Sequence, residues 1–177
     1  MSNPAISRAQ VHELADACGN NPDAFNPTAT RLIKEQRRLT RFFEQNAEAL
    51  GPVAAQVAMY LLTVSIRVIE QSGGKLRKVS GADIDAATAK VQAAAASLMP
   101  ADGTLHERAR AIADRAQPHL LDEVLWALYE RAGEEKKEGE MDVDPEKSAL
   151  IYLMLWTAIE ALDLVWAAPA SLSSQQA

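Results

Sequence analysis

The chain has little cysteine, glycine or aromatic residue, and each shortage excludes a class of structure. The single cysteine, Cys18, cannot form an intrachain disulfide, so the sequence predicts no disulfide scaffold and a reducing, cytoplasmic compartment. Eight glycines in 177 residues are few for a turn-rich β protein. Aromatic residues make up 5% of the chain, and alanine supplies much of the 48% hydrophobic content. This composition favours helices.

Membrane-directed segments are also missing from the pattern. The opening MSNPAISRAQ lacks the apolar core of a signal peptide. The apolar stretch 53–69 is short for a membrane span and contains Arg67. The stretch 149–168 is long enough but contains Glu160 and Asp163, and carboxylates within a bilayer are costly. We therefore expect no membrane contact.

Metal and cofactor motifs are not found. The histidines are His12, His106 and His119, and none follows a glutamate by three residues, as di-iron carboxylate bundles require. His119 and Glu123 share a helical face, but a solvated pair near a helix start explains them better than one edge of a metal site does. We expect no bound metal.

Catalytic motifs are equally scarce. The sequence SGGK at 72–75 lacks the first glycine of a phosphate loop, and Leu76 stands where Ser or Thr is needed. No Gly-x-Ser-x-Gly nucleophile elbow occurs. The sequence predicts no cofactor and no catalytic residue, and it favours a protein that is not an enzyme.

Apolar periodicity and capping residues predict a single all-α domain, a bundle of about six or seven helices without strands. Gly51 and Pro52 are expected to turn the chain so that the helices on either side lie antiparallel. Residues 1–6 are predicted to form a loose arm, 134–143 an exposed charged loop and 169–177 a frayed tail. The predicted helices span 7–18, 26–50, 52–72, 80–99, 104–117, 118–133 and 145–168.

A basic patch stands out on a chain whose net charge is −6. The stretch RLIKEQRRLTR at 31–41 places its cations opposite its apolar stripe, and an antiparallel turn would bring them near 75–78. The favoured interpretation is an ordinary solvated face, neutralised by the charged stretch 134–140. A functional patch would instead contact an acidic protein or another anionic ligand; nucleic acid is less favoured because aromatic residues and a helix-turn-helix pattern are absent. The candidate residues are Arg31, Lys34, Arg37, Arg38, Arg41, Lys75, Arg77 and Lys78.

Two carboxylates on an otherwise apolar helix pose a second question. Glu160 and Asp163 lie one turn apart, and Arg67 is the one cation inside the apolar helix at 52–72. A buried charge needs water or an opposite charge, so solvent exposure, a pair between Arg67 and these acids, and a pair with Glu70 all remain open. Catalysis or metal binding would need evidence that a sequence does not carry.

The apolar stretch 150–159 suggests how the protein works. It is apolar on every side of its helix, which predicts contact on every side. We expect a non-enzymatic protein that acts through protein contacts and forms a homodimer. The alternative is a small-ligand-binding or regulatory bundle with a pocket between its helices. Candidate interface or pocket residues are Tyr60, Tyr152, Trp156 and Trp166.

Overall fold

The structure, a computed structural model, describes residues 2–131 and 143–174. It is 78% helical, which confirms the predicted all-α bundle. A 3₁₀ turn at Ala96–Leu98 continues α4, and a π-helical turn at Trp126–Glu130 continues α6. The α-helices of the described residues are α1 (Arg8–Asn20), α2 (Pro22–Glu35), α3 (Arg37–Gln71), α4 (Gly81–Ala95), α5 (Leu105–Arg110), α6 (Pro118–Leu125), α7 (Pro145–Val165) and α8 (Ala170–Ser174).

Helix α7 is the central element of the core. It packs against α3, α4 and α6, and its apolar residues from Ala149 to Ile159 are mostly inaccessible to solvent. Both α3 and α7 are long and apolar enough to span a membrane by length and composition, but 83% of the most apolar window of α7 is buried within the fold. The chain's own helices therefore cover the stretch that suggested a second subunit.

Helix α3 contains the predicted reversal of chain direction. Gly51 has φ +78° and ψ 168°, which interrupts the helix at the Gly-Pro pair. A straight helix of 35 residues would be about 52 Å long. Yet Gln36 before α3 donates a hydrogen bond to the carbonyl of Arg77, only six residues after its end, at 3.0 Å. The two arms of α3, 37–50 and 52–71, must therefore fold back on each other, as predicted.

A short strand pair closes one end of the bundle, although the sequence predicted no strand. β1 (Lys75–Leu76) pairs antiparallel with β2 (Trp166–Ala167). Gly74, with φ +75°, lies where an added Cβ atom would be 2.1 Å from the carbonyl oxygen of Ala167. Glycine is needed here because no larger residue leaves room for the neighbouring backbone. Two-residue strands are too short to leave a periodic signal in the sequence.

The segments outside the predicted helices differ most from expectation. The arm at 2–6 is docked rather than loose, and Ile6 is 1% exposed. The described part of the predicted frayed tail forms α8, and its Leu172 is 3% exposed. In both cases an apolar side chain reaches the core and holds the segment down. Of the predicted charged loop, residues 134–142 lie outside the described residues.

The helix predicted at 104–117 ends early, at Arg110. The chain leaves the helix because its next residues bond elsewhere: the backbone N–H of Ala116 donates to Glu160 at 2.8 Å. Gln117 follows in the left-handed region, with φ +48°. These buried hydrogen bonds replace the ones that a longer helix would have made.

Candidate functional site

Glu160 is a buried carboxylate with a complete set of partners. Its side chain is 7% exposed, and its Oε2 lies 2.9 Å from the Nζ of Lys90 on α4. Its Oε1 accepts hydrogen bonds from the backbone N–H of Ala116 at 2.8 Å and from the indole N–H of Trp156 at 3.0 Å. Lys90 also reaches the exposed Asp114 at 3.0 Å. Solvent exposure, one of the possibilities that the sequence left open for Glu160, is therefore wrong; Glu160 forms an ion pair, and its cation is Lys90 and not Arg67.

Asp163 is held by amides and not by a cation. Its side-chain oxygens accept from the backbone N–H of Asn3 at 3.0 Å and from Gln117 Nε2 at 3.0 Å. Gln117 also accepts from the backbone N–H of Ile6 and donates to the carbonyl of Pro4, at 2.9 and 3.1 Å. One carboxylate therefore anchors the N-terminal arm to α7. This network links residues more than 100 positions apart, which explains why the arm was predicted to be loose.

Arg67 pairs on its own helix, one of the possibilities that the sequence left open. Its guanidinium lies 2.9 Å from Glu70, which also binds Arg31 of α2. Arg31 first, and then Arg67, hold the pKa of Glu70 below its ordinary value against the opposing effect of burial. Arg31 contacts Glu35 as well, at 2.9 Å. Its charge is thus neutralised within the chain.

The environment of Glu160 is that of a structural ion pair. Burial lowers the pKa of Lys90, but hydrogen bonds to Glu160 and Asp114 outweigh it and the pKa is raised overall. Lys90 therefore stays protonated and is a poor nucleophile. A cavity of about 380 Å³ opens beside Lys90, Asp114, Glu160 and Asp163. Each charged side chain that lines this cavity already has a partner among the described residues.

The four aromatic candidates divide between the core and the surface. Tyr152 and Trp156 are 0% exposed, and their rings lie 5.9 Å apart. Burial raises the pKa of Tyr152 to about 12. Trp166 is also buried, and its indole N–H donates to the carbonyl of Gly73 at 2.9 Å. Only Tyr60, which is 40% exposed, faces solvent.

Most of the predicted basic patch forms one surface. We call it the basic corner; it comprises Lys34, Arg37, Arg38, Arg41, Lys75, Arg77 and Lys78, all of them exposed. Gln36, buried between α2 and α3, joins its two halves. The side-chain amide of Gln36 donates to the carbonyl of Arg77 at 3.0 Å and accepts from the backbone N–H of Val79 at 2.9 Å. The segment 75–78 is thereby fixed beside the start of α3.

Charge pairing distinguishes the basic corner from the rest of the described chain. Every other described lysine and arginine has a salt bridge or another interaction partner. No side chain of the basic corner forms a salt bridge with a described residue. One of its cations still acts on Asp83: hydrogen bonds from Ser80 are the main cause that lowers the pKa of the Asp83 carboxyl, and the charge of Arg77 adds a smaller effect. The unpaired positive charge is thus concentrated at one place.

A cleft lies between α1, α3 and α6. The sequence offered a pocket between helices as an alternative, and of its four aromatic candidates only Tyr60 lines this cleft. We call it the α1–α6 cleft; it has a volume of about 330 Å³ and is lined among others by His12, Asp16, Tyr60, Glu123 and Trp126. His12 Nδ1 lies 3.1 Å from Glu123 Oε1, and the His12 ring meets Trp126 edge-on at 6.1 Å. The sequence gives no signal for this pairing because His12 and Glu123 are 111 residues apart.

Other chemistry finds no support in the described residues. No group of three or more His, Cys, Asp or Glu there is placed to hold a metal ion. Cys18 is buried, and burial raises the pKa of its thiol, which disfavours the nucleophilic thiolate. Comparison with protein-family models, curated proteins and solved structures finds no match for this chain.

Proposed function

We propose that the chain is a non-enzymatic helical module that binds an acidic segment of a partner protein through its basic corner. The observation that supports this most directly is the distribution of charge pairing. Outside the corner, the described cations have partners; within it, none forms a salt bridge with a described residue. Exposed, unpaired charges of one sign attract and orient a partner of the opposite sign.

The spacing of the corner suits an extended acidic peptide. Arg37 and Arg41 are one helical turn apart on α3, so their Cβ atoms are separated by about 6 Å. Alternate side chains of an extended strand are about 7 Å apart on one face. Glutamates at every second position can therefore meet successive cations. An acidic partner is also favoured over nucleic acid because the corner itself contains no aromatic side chain on which bases could stack.

A titration with a labelled peptide of alternating Glu and Ser tests this proposal. We expect the wild type to bind it with an affinity that falls as salt is raised from 50 to 200 mM. The double variant Arg38→Glu/Lys78→Glu should bind at least about 10-fold more weakly, because like charges then face each other. Fluorescence anisotropy measures both effects.

Lys147→Glu provides the matched control. The Lys147 side chain is 44% exposed, and it lies beside Gly51 and near Asp144, at the start of α7 and away from the basic corner. It should bind the peptide like the wild type. Peptide binding that survives in Arg38→Glu/Lys78→Glu would refute the proposal. Tighter binding of a single-stranded oligonucleotide of equal length would show that the corner serves nucleic acid instead.

The homodimer and the cytoplasmic compartment stay predictions. The apolar stretch of α7 that suggested a second subunit packs inside the chain. Three large apolar side chains of the described residues are exposed: Tyr60, Met99 and Leu164. Light scattering on the samples used for the titration measures the oligomeric state directly, and it is independent of peptide binding.

A further inference from the structure

We propose that the α1–α6 cleft binds a small organic cation, an ammonium group attached to an apolar body. This site shares no residue with the basic corner, and its ligand is of opposite charge. The proposal therefore does not depend on the acidic-partner hypothesis. It is carried by the shape of the cleft, its apolar floor and the two carboxylates on its wall.

The shape of the cleft suits a small molecule. Its volume of about 330 Å³ lies at the lower end of the range for ligand sites. A second cavity of about 210 Å³ shares His12, Glu123 and Trp126 with it, so the depression continues past these side chains. The walls come from packed helices, which position side chains more rigidly than loops do.

The floor of the cleft is apolar and aromatic. It is lined by four aliphatic side chains that are buried in the core: Leu61 and Val64 of α3, and Leu120 and Val124 of α6. Tyr60 stands at the edge and is one of the few large hydrophobic side chains that the fold leaves exposed. An apolar ligand body would mainly cover the exposed part of the Tyr60 side chain, because the four aliphatic side chains are at most 8% exposed.

The wall of the cleft carries two carboxylates, Asp16 and Glu123, beside one guanidinium, that of Arg131. Asp16 accepts a hydrogen bond from Asn20 at 3.2 Å but forms no salt bridge with a described residue. Glu123 contacts His12 through both carboxylate oxygens, at 3.1 and 3.3 Å. Arg131 also lines the cleft, but it already has an interaction partner.

An ammonium group is the ligand chemistry that fits this wall. It can donate to the Asp16 carboxylate while it lies over an aromatic face, a contact that favours cations. A carboxylate ligand of the same shape would instead be repelled by Asp16 and Glu123. Burial is the main cause that raises the pKa of Tyr60, so its hydroxyl stays protonated and adds no further negative charge.

The test uses 2-phenylethylammonium as the probe and 3-phenylpropionate as its anionic analogue. Nitrogen–proton NMR spectra follow the indole N–H signals during titration of the full chain. We expect the ammonium probe to shift the signal of Trp126, which lines the cleft. The signals of Trp156 and Trp166 should stay in place, because both donate hydrogen bonds in the interior. The propionate should leave all three unchanged.

Two matched variants decide whether Asp16 recognises the charge. Asp16→Asn keeps the shape of the side chain and should weaken binding of the ammonium probe about fivefold. Asp85→Asn makes the same change at an exposed aspartate of α4, outside the cleft, and should have no effect. Equal binding of the propionate, equal affinity of the two variants, or no shift of Trp126 at millimolar probe would each overturn the proposal.

Discussion

Removing the cation from the Lys90–Glu160 pair should destabilise the fold in a way that removing both charges does not. Breaking a buried pair from one side costs about 3–5 kcal/mol when the remaining charge is fully isolated. Here the Lys90 side chain is 32% exposed, and Glu160 keeps its bonds from Ala116 and Trp156. We therefore expect Lys90→Met to lower the free energy of unfolding by about 2 kcal/mol.

Glu160→Gln should lower the free energy of unfolding by a similar amount, but for a different reason. The amide oxygen can still accept the N–H groups of Ala116 and Trp156, but the amide nitrogen then faces the ammonium of Lys90 with donors on both sides. About 2 kcal/mol is expected from the lost charge-assisted bond. In Lys90→Met/Glu160→Gln that conflict disappears, so the double variant should be about as stable as either single one. This corresponds to a coupling energy of about 2 kcal/mol.

Urea unfolding of the four proteins measures this cycle, with equal m-values as a check that the transition stays two-state. Additive single effects, within about 0.5 kcal/mol, would refute the argument that the pair acts as a unit.

The pH dependence of the same pair has a defined sign. Hydrogen bonds to Glu160 and Asp114 raise the pKa of Lys90 in the folded state above its ordinary value of 10.5, despite the opposing effect of burial. The contribution to stability is therefore complete below pH 10.5 and is lost as the pH rises through the folded-state pKa. The stability difference between the wild type and Lys90→Met should shrink above pH 10.5.

Two further substitutions test the ends of the bundle. Gly74→Ala should lower the free energy of unfolding, measured with urea, by at least about 2 kcal/mol, because its Cβ would lie 2.1 Å from the carbonyl oxygen of Ala167 at a positive φ. The control Gly81→Ala, whose Cβ would have nothing within 4 Å, should change stability by less than about 0.5 kcal/mol. Equal effects of the two substitutions would contradict the steric explanation. Asn3→Ala should lower the free energy of unfolding by about 1–2 kcal/mol, because the Asp163 carboxylate loses a side-chain donor. It should also speed amide hydrogen exchange at residues 2–6. Unchanged exchange would mean that the arm is held by other contacts.

Local signals predicted most of the helices and the position of the basic corner. The helix predicted at 26–50 was wrong in its bounds: α2 already begins at Pro22 and ends at Glu35, and non-helical Gln36 separates it from α3. Ser80, the first residue of the helix predicted at 80–99, is the N-cap of α4: its hydroxyl accepts from the backbone N–H of Asp83 at 3.2 Å in a complete capping box. Gly51 and Pro52 were enough to predict a reversal, because few residue pairs disfavour helix continuation so strongly. The reversal in turn placed 75–78 beside the 31–41 stretch, and the bonds of Gln36 confirm this.

The partners of the buried carboxylates were not predictable in the same way. Lys90 is 70 residues from Glu160, and Asn3 is 160 residues from Asp163. Helical spacing relates residues within a few turns and says nothing about contacts across a bundle. A weak signal did exist for one of them: Lys90 is the only charged residue between Asp85 and Asp102, in an alanine-rich stretch. A lone cation in such a stretch should be matched with acids on other apolar helices.

The aromatic candidates show how sequence reasoning misassigns apolar surface. Trp156 and Tyr152 were considered for an interface because their helix is apolar all round. The same pattern is required of a helix that lies at the centre of a bundle, and α7 is in that position. Whether such a helix forms an interface or the centre of the core depends on how many other helices of the chain surround it. That number is set by the tertiary arrangement and not by the pattern of the helix itself.

Gln36 gives the basic corner a rigidity that its cations do not have themselves. Its amide satisfies a carbonyl with one end and a backbone N–H with the other, and neither Glu nor Lys can do both. The backbone positions of the charges are therefore set before any partner arrives. Binding then restricts only the side-chain rotamers, and the loop at 75–79 loses no further freedom. If the proposed partner binds there, a neutral, buried residue would thus influence the affinity of a charged surface.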